Sequence, residues 1–235
     1  GTNFSNSLLV GHATTGTLNA AQKNVGVGLS ALDALTSADG NVAVGYNAGG
    51  QVNTGAGNVL LGEDSGRYIT DGAANVGVGR YTLYAVVGGD SNTVLGNSAG
   101  SSIDTGDKNI ALGFGAGDNI TSGSGNVVIG KADVSSATGD DQLSISDGED
   151  GSVVWMTGDS SGNITMPAEL AAVSLDISGA IDVDGTTNLD AVDIDGAVQI
   201  DGTVTVGVDD TGLDVKFFGA SAGAYMEWDE SADQL

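Results

Sequence analysis

Asn24, Asn41, Asn58, Asn75, Asn92, Asn109 and Asn126 stand 17 residues apart without an insertion or deletion, and Ser7 holds the same register one step earlier. Four residues after each comes a glycine: Gly11, Gly28, Gly45, Gly62, Gly79, Gly96, Gly113 and Gly130. So rigid a period excludes most globular folds, because only units stacked on like neighbours forbid the gain or loss of a single residue. Coils of parallel strand, stacked at about 4.8 Å, meet that condition, and eight of them would extend roughly 38 Å.

Between Asn and Gly the third position is always aliphatic: Val10, Val27, Val44, Leu61, Val78, Leu95, Leu112 and Ile129. The first is apolar or Thr, as in Leu8, Val25, Val42 and Thr93, whereas the middle accepts Gly26, Ala43, Leu60 and Gly77. Alternation of this kind predicts one short strand per coil, its first and third positions facing one way. A second apolar column lies eleven residues after the Asn, at Leu18, Leu35, Val52, Ile69, Val86, Ile103, Ile120 and Ala137, and supplies a second inward contact. Turn-forming Gly, Ser, Asp and Thr follow it, as in Thr54-Gly55-Ala56-Gly57. The stacked Asn column predicts a ladder of side-chain amides along the axis. Three or four small apolar side chains per coil make a thin core, so partner chains are expected to cover the remaining apolar surface, as a homotrimer.

Composition narrows the class further. The 40 glycines suit tight turns, while a single Pro and the lack of a Gly-X-Y register exclude collagen. With 40% apolar but only 5% aromatic residues, the core is expected to be Val, Ala, Leu and Ile. A net charge of −25 argues against nucleic acid and anionic lipid as partners. The absence of Cys removes disulfide and thiolate chemistry. No apolar stretch is long enough for a transmembrane helix and no secretory signal is present, so membrane insertion is not expected. The chain starts at Gly1, as a processed form or a fragment would.

Four parts are expected: an eight-coil β-roll over 1–142, a connector over 143–169, an acidic β shaft over 170–207 and a small C-terminal β module over 208–235. The connector leaves the register and contains the only proline, Pro167, with residues 168–172 either extended or one short helical turn. Strict alternation then appears, as in Ile181-Asp182-Val183-Asp184-Gly185 and Val192-Asp193-Ile194-Asp195-Gly196. Aromatics return in Val215-Lys216-Phe217-Phe218 and Tyr225-Met226-Glu227-Trp228. Residues 1–142 hold 12 acids and 5 bases, against 19 acids and one base in 143–235, so the second part repels its own copies more strongly.

The segment Asn41-Val42-Ala43-Val44-Gly45-Tyr46-Asn47-Ala48 resembles the repeats in heads of trimeric autotransporter adhesins, left-handed parallel β-rolls whose repeats are usually shorter. Residues 6–12, Asn-Ser-Leu-Leu-Val-Gly-His, and 44–50, Val-Gly-Tyr-Asn-Ala-Gly-Gly, more closely resemble tail-fibre and virion-appendage proteins of tailed bacteriophages. The string from Trp155 to Asn163 resembles a connector that follows such repeats in phage fibres. The resemblance covers most of the chain. It implies an all-β architecture, a parallel β-solenoid followed by a trimeric β-helix or β-prism shaft. It also implies a structural and adhesive role in an extracellular virion, with other virion proteins and a glycan or protein receptor on the host as partners. The alternatives are a bacterial cell-surface trimeric adhesin and a self-polymerising extracellular filament.

Enzymatic chemistry finds little material, with one His, no Cys and six scattered bases. His12 occupies the position after the repeat Gly, where other coils carry Leu29, Tyr46, Glu63, Arg80, Asn97, Phe114 and Lys131. A column that accepts all of these faces solvent, so no catalytic residue and no cofactor is expected. Strings such as Gly113-Phe114-Gly115-Ala116-Gly117 lack the Gly-Lys-Ser/Thr ending of a phosphate loop. Asp182, Asp184, Asp193 and Asp195 are the candidates for calcium, but no complete EF-hand or calcium-roll repeat surrounds them, and a solvated acidic face is the favoured reading. The same variable column is the expected recognition surface, with Tyr46, Arg80, Tyr81 and Phe114 as the residues suited to stack on sugar or protein.

Overall fold

A computed structural model describes residues 6–11 and 21–167, and beyond them 177, 194, 198–205, 215–218, 223 and 225–228. The chain forms two compact units, Gly1–Val173 and Ser174–Leu235. Leu18, His12, residues 168–172 and the four aspartates proposed for calcium lie outside the described residues, as does most of the acidic shaft.

The first unit is a parallel β-solenoid. Eight three-residue strands, β1 (Leu8–Val10), β2 (Val25–Val27), β3 (Val42–Val44), β4 (Val59–Leu61), β5 (Val76–Val78), β6 (Thr93–Leu95), β7 (Ile110–Leu112) and β8 (Val127–Ile129), pair parallel in sequence order. Every partner is one repeat away, as in Val42 with Val59 and Val44 with Leu61. The register closes one residue early at β9 (Leu143–Ser146), where Val127 pairs with Leu143. Antiparallel β10 (Val154–Gly158) and β11 (Ile164–Thr165) then fold back over that end, so the connector is a three-stranded meander. Among the described residues there is no helix.

The Asn column forms the predicted ladder. Each Asn from Asn24 to Asn126 is fully buried. Its Oδ1 accepts the backbone N–H of the next rung at 2.8–3.0 Å. Its Nδ2 donates to the carbonyl fourteen residues ahead, as Asn41 does to Gly55 and Asn75 to Gly89, or thirteen ahead for Asn126 and Gly139, which closes the coil on itself. Ser7 Oγ accepts from Asn24 N at one end. At the other, Gln142 takes the last rung, donating through its backbone N and Nε2 to Asn126 Oδ1. Because a buried unpaired amide or carbonyl costs roughly 1–3 kcal/mol, each Asn fixes several groups that nothing else in its coil would satisfy.

Strand alternation holds, but the inward side is the middle position. Ala43, Leu60, Val94, Ala111 and Val128 are fully buried. The first and third positions point outward: none of the sixteen in β1–β8 is buried, and Leu8, Val44 and Leu95 are 55%, 40% and 50% exposed. The column eleven residues after the Asn is inward as expected, with Leu35, Val52, Ile69, Val86, Ile103 and Ile120 buried. Two further positions fill the coil, a small residue seven after the Asn (Ala31, Ala48, Ser65, Thr82, Ala99, Ala116) and the one following it. Where small residues are polar they pair, with Ser65 Oγ and Thr82 Oγ1 2.8 Å apart.

The repeat glycine is required by geometry. Gly62 has φ +142°, and a Cβ there would lie 2.4 Å from the carbonyl oxygen of Gly79 in the next coil. Stacked backbones leave no room for any side chain at this corner.

In the second unit, β12 (Val215–Phe218) and β13 (Tyr225–Trp228) form an antiparallel hairpin with Phe217 opposite Met226. Both strands fall within 208–235, where a small β module is expected.

Candidate functional site

The variable column is exposed as expected, with Tyr46 at 50% and Phe114 at 56%. Stacking one coil above another places Glu63 beside Arg80, and Arg80 Nε lies 3.1 Å from Glu63 Oε2. Arg80 also donates through Nη2 to the Tyr81 hydroxyl at 2.9 Å, while its guanidinium covers the Tyr81 ring at 4.3 Å. Hydrogen bonding to Glu63 holds the Arg80 guanidinium above its ordinary pKa. Exposed ion pairs of this kind contribute little to stability, so their effect here is on orientation.

Further along the same loops lies a second group. Arg67 Nη1 is 3.2 Å from Asp64 Oδ1, which also accepts from Asn47 Nδ2, and the Arg67 guanidinium sits 5.3 Å from the centre of the Tyr68 ring. Tyr84 joins the two groups. Its ring meets Tyr68 edge-on at 5.0 Å and Tyr81 edge-on at 5.4 Å. A hydrogen bond with Tyr68 raises the pKa of the Tyr84 hydroxyl. Edge-to-face contacts of this kind are worth about 0.5–1.5 kcal/mol each and lock the rings in place. Tyr81 and Tyr84, with Ser98, Ser101 and Ser102 of the following coil, line an open groove of about 460 Å³.

Of the four recognition candidates, the structure unites Arg80 and Tyr81, and Tyr46 lies in the same column one coil before Glu63. Phe114 stands apart, covered by Lys131 at 5.4 Å. Tyr68, Tyr84, Arg67 and the three serines were not expected, because they occupy other columns of the repeat. A signal for them exists: both arginines and four of the five tyrosines fall between residues 46 and 84.

Set against known family models, curated proteins and solved structures, the chain matches none. The site's chemistry therefore rests on its own residues. Among the described residues no three His, Asp or Glu side chains gather as a metal site would require. Asp118 and Asp133 form a carboxyl pair; burial, then the neighbouring charge, raises the pKa of Asp118.

The meander carries one strongly shifted carboxylate. Asp147 accepts backbone N–H groups of Val153, Glu149, Asp150 and Gly151 at 2.7–3.1 Å, and these lower its pKa from 3.8 to about 2. A group whose folded pKa is depressed stabilises the fold above its unfolded pKa and loses that contribution as pH falls through the folded one. Protection of the β9–β10 turn amides, taken relative to the intrinsic exchange rate at each pH, is expected to fall between pH 4 and about 2 in the native chain and to lack that fall in Asp147→Ala. Identical profiles would show that the carboxylate does not hold the turn.

Proposed function

We propose that this chain is a structural and adhesive fibre protein that works as a homotrimer. The observation that carries the reading is the outward face of β1–β8, where fifteen of sixteen side chains are aliphatic and Thr93 is the exception. A continuous apolar strip of this length is not left to water in a stable extracellular rod, and copies of the same chain are its natural cover. In unit 2, Val198, Ile200 and Val204 are 58–61% exposed, which suits a shaft whose core forms only between chains. Resemblance to phage tail fibres supports a virion location, extracellular, with other virion proteins at one end and a host receptor as the adhesive target.

Sedimentation or light scattering of the intact chain tests the assembly. The expected mass is three times 23.0 kDa, and Val44→Asp combined with Leu95→Asp is expected to release folded monomers, since both side chains point away from the coil interior. A native chain that is monodisperse at 23.0 kDa would overturn the proposal. Growth into particles of unlimited mass would favour the filament alternative.

A further inference from the structure

Tyr81 is out of place in its column. The residue six after the ladder Asn has positive φ in coil after coil, and those sites are filled by Ser30, Asn47, Asp64, Ser98 and Gly115, small or polar residues that tolerate this region. Tyr81 adopts φ +57° with a bulky ring. The left-handed conformation costs an L-residue roughly 1–2 kcal/mol. Leu83, two residues on, shares the strain at φ +51° but fills the core and is fully buried, which accounts for it. Nothing in the core accounts for Tyr81, whose ring is partly exposed on the flank.

The surroundings of that ring form a ledge. Tyr81 and Tyr84 lie in the same two columns as Ser98 and Ser101 of the next coil, so large rings give way to small hydroxyls over one coil step. On one side the rings pack against Tyr68 and Arg80; on the other they stand open above Ser98, Ser101 and Ser102. The lining offers aromatic faces and neutral hydroxyls. Its nearest cations, Arg67 and Arg80, are already paired with Asp64 and Glu63.

We infer that this groove is a binding site for a neutral saccharide. Sugar rings present apolar C–H faces to aromatic walls and hydroxyls to donors and acceptors, and rigid Tyr beside small Ser supplies both at low entropic cost. A groove of about 460 Å³ lined by five residues holds a few sugar units. Five lining residues fall far short of the roughly 20–30 residues a side of a stable protein interface. The net charge of −25 disfavours acidic glycans. The inference names the receptor chemistry of the adhesive reading and rests on it, but it uses a stretch of the coil separate from the strand face.

The test uses the full-length assembled chain, saturation-transfer NMR and a panel of free oligosaccharides of neutral hexoses and N-acetylhexosamines, with sialylated counterparts as the contrast. Neutral binders are expected, with affinity reduced about tenfold or more by Tyr84→Ala, by Tyr81→Asn and by Ser101→Phe, which fills the groove. Tyr81→Asn relieves the positive φ but gives up the Arg80 and Tyr84 contacts, so the melting temperature should stay close to the native one while the ligand is lost, whereas a merely structural tyrosine would lose stability and leave binding intact. No neutral binder on the panel, equal binding by the variants, or preference for sialylated sugars would each overturn the site. A neighbouring copy occupying the groove would overturn it too. Because the chain has no other cysteine, failure of a maleimide to label Ser102→Cys in the assembled protein would reveal that cover. Loss of trimer with binding intact would sink the assembly alone.

Discussion

Gly62→Ala is expected to lower the melting temperature of the solenoid by more than about 10 °C, whereas Gly40→Ala lowers it by only about 2–6 °C. Both glycines have positive φ, +142° at Gly62 and +70° at Gly40. At Gly40 no atom lies within 4 Å of an added Cβ, so the cost is the conformational one of roughly 1–2 kcal/mol. At Gly62 the new methyl would lie 2.4 Å from the carbonyl oxygen and 2.6 Å from the carbonyl carbon of Gly79. Backbone in the next coil cannot swing aside as a side chain can. Relief requires two coils to part, which breaks ladder bonds such as Gly79 N to Leu61 O at 2.8 Å and exposes the core between them. The combined loss reaches the range of 4 kcal/mol or more in which single substitutions are exceptional. Thermal melts at one protein concentration compare the two variants, since assembly couples stability to concentration. Equal shifts would show that glycine is needed for φ alone and that the coils have room to separate.

How much of this architecture could be read beforehand follows from which constraints act along the axis and which act across it. Axial constraints repeat at every coil and imprint on the sequence, so the Asn rungs and the glycine corner were legible as invariant columns. Gln142 escaped because its rung comes sixteen residues after Asn126, although it carries the same amide on a side chain one methylene longer. A second ladder was also missed. Asp39, Asp90, Asp107 and Asp140 accept backbone N–H groups of the preceding coil at 2.6–2.7 Å, two residues before each rung, but Ala56 and Ala73 interrupt the column. Constraints across the coil are shared between residues and leave no single-column trace. That is why constant aliphatics at strand positions one and three were placed with the inward contacts, when their constancy reflects the outer face. The candidate site divides the same way: Tyr46 and Arg80 stand in one variable column and Tyr81 directly after it, whereas Tyr84 and the serine floor required knowing which columns are neighbours.

The sharpest expression of cross-coil sharing is a trade of volume. Where the middle strand residue is Gly26 or Gly77, the residue eight after the Asn is Leu32 or Leu83; where the middle is Ala43, Leu60, Val94 or Ala111, that residue is Gly49, Gly66, Gly100 or Gly117. The two positions face each other and share a space that admits one bulky side chain between them. A Cβ on Gly66 would lie 2.6 Å from Leu60 Cδ2 and 2.8 Å from Ile69 Cδ1. Gly66→Leu alone is therefore expected to cost about 3 kcal/mol or more, from overpacking and from φ +58°. Leu60→Gly alone empties a fully buried site and costs about 3–5 kcal/mol. The double variant rebuilds the arrangement that Gly77 and Leu83 already use, so its loss should fall short of the sum by about 2–3 kcal/mol. Denaturant midpoints of the four chains close the cycle. Additive losses, within about 0.5 kcal/mol, would mean that the two positions do not share one space. A core that adds to the column of Leu35 and Ile69 only one more large side chain per layer, from either wall, is thin, and the hydrophobic area it lacks inside is the area displayed on the outer strand face.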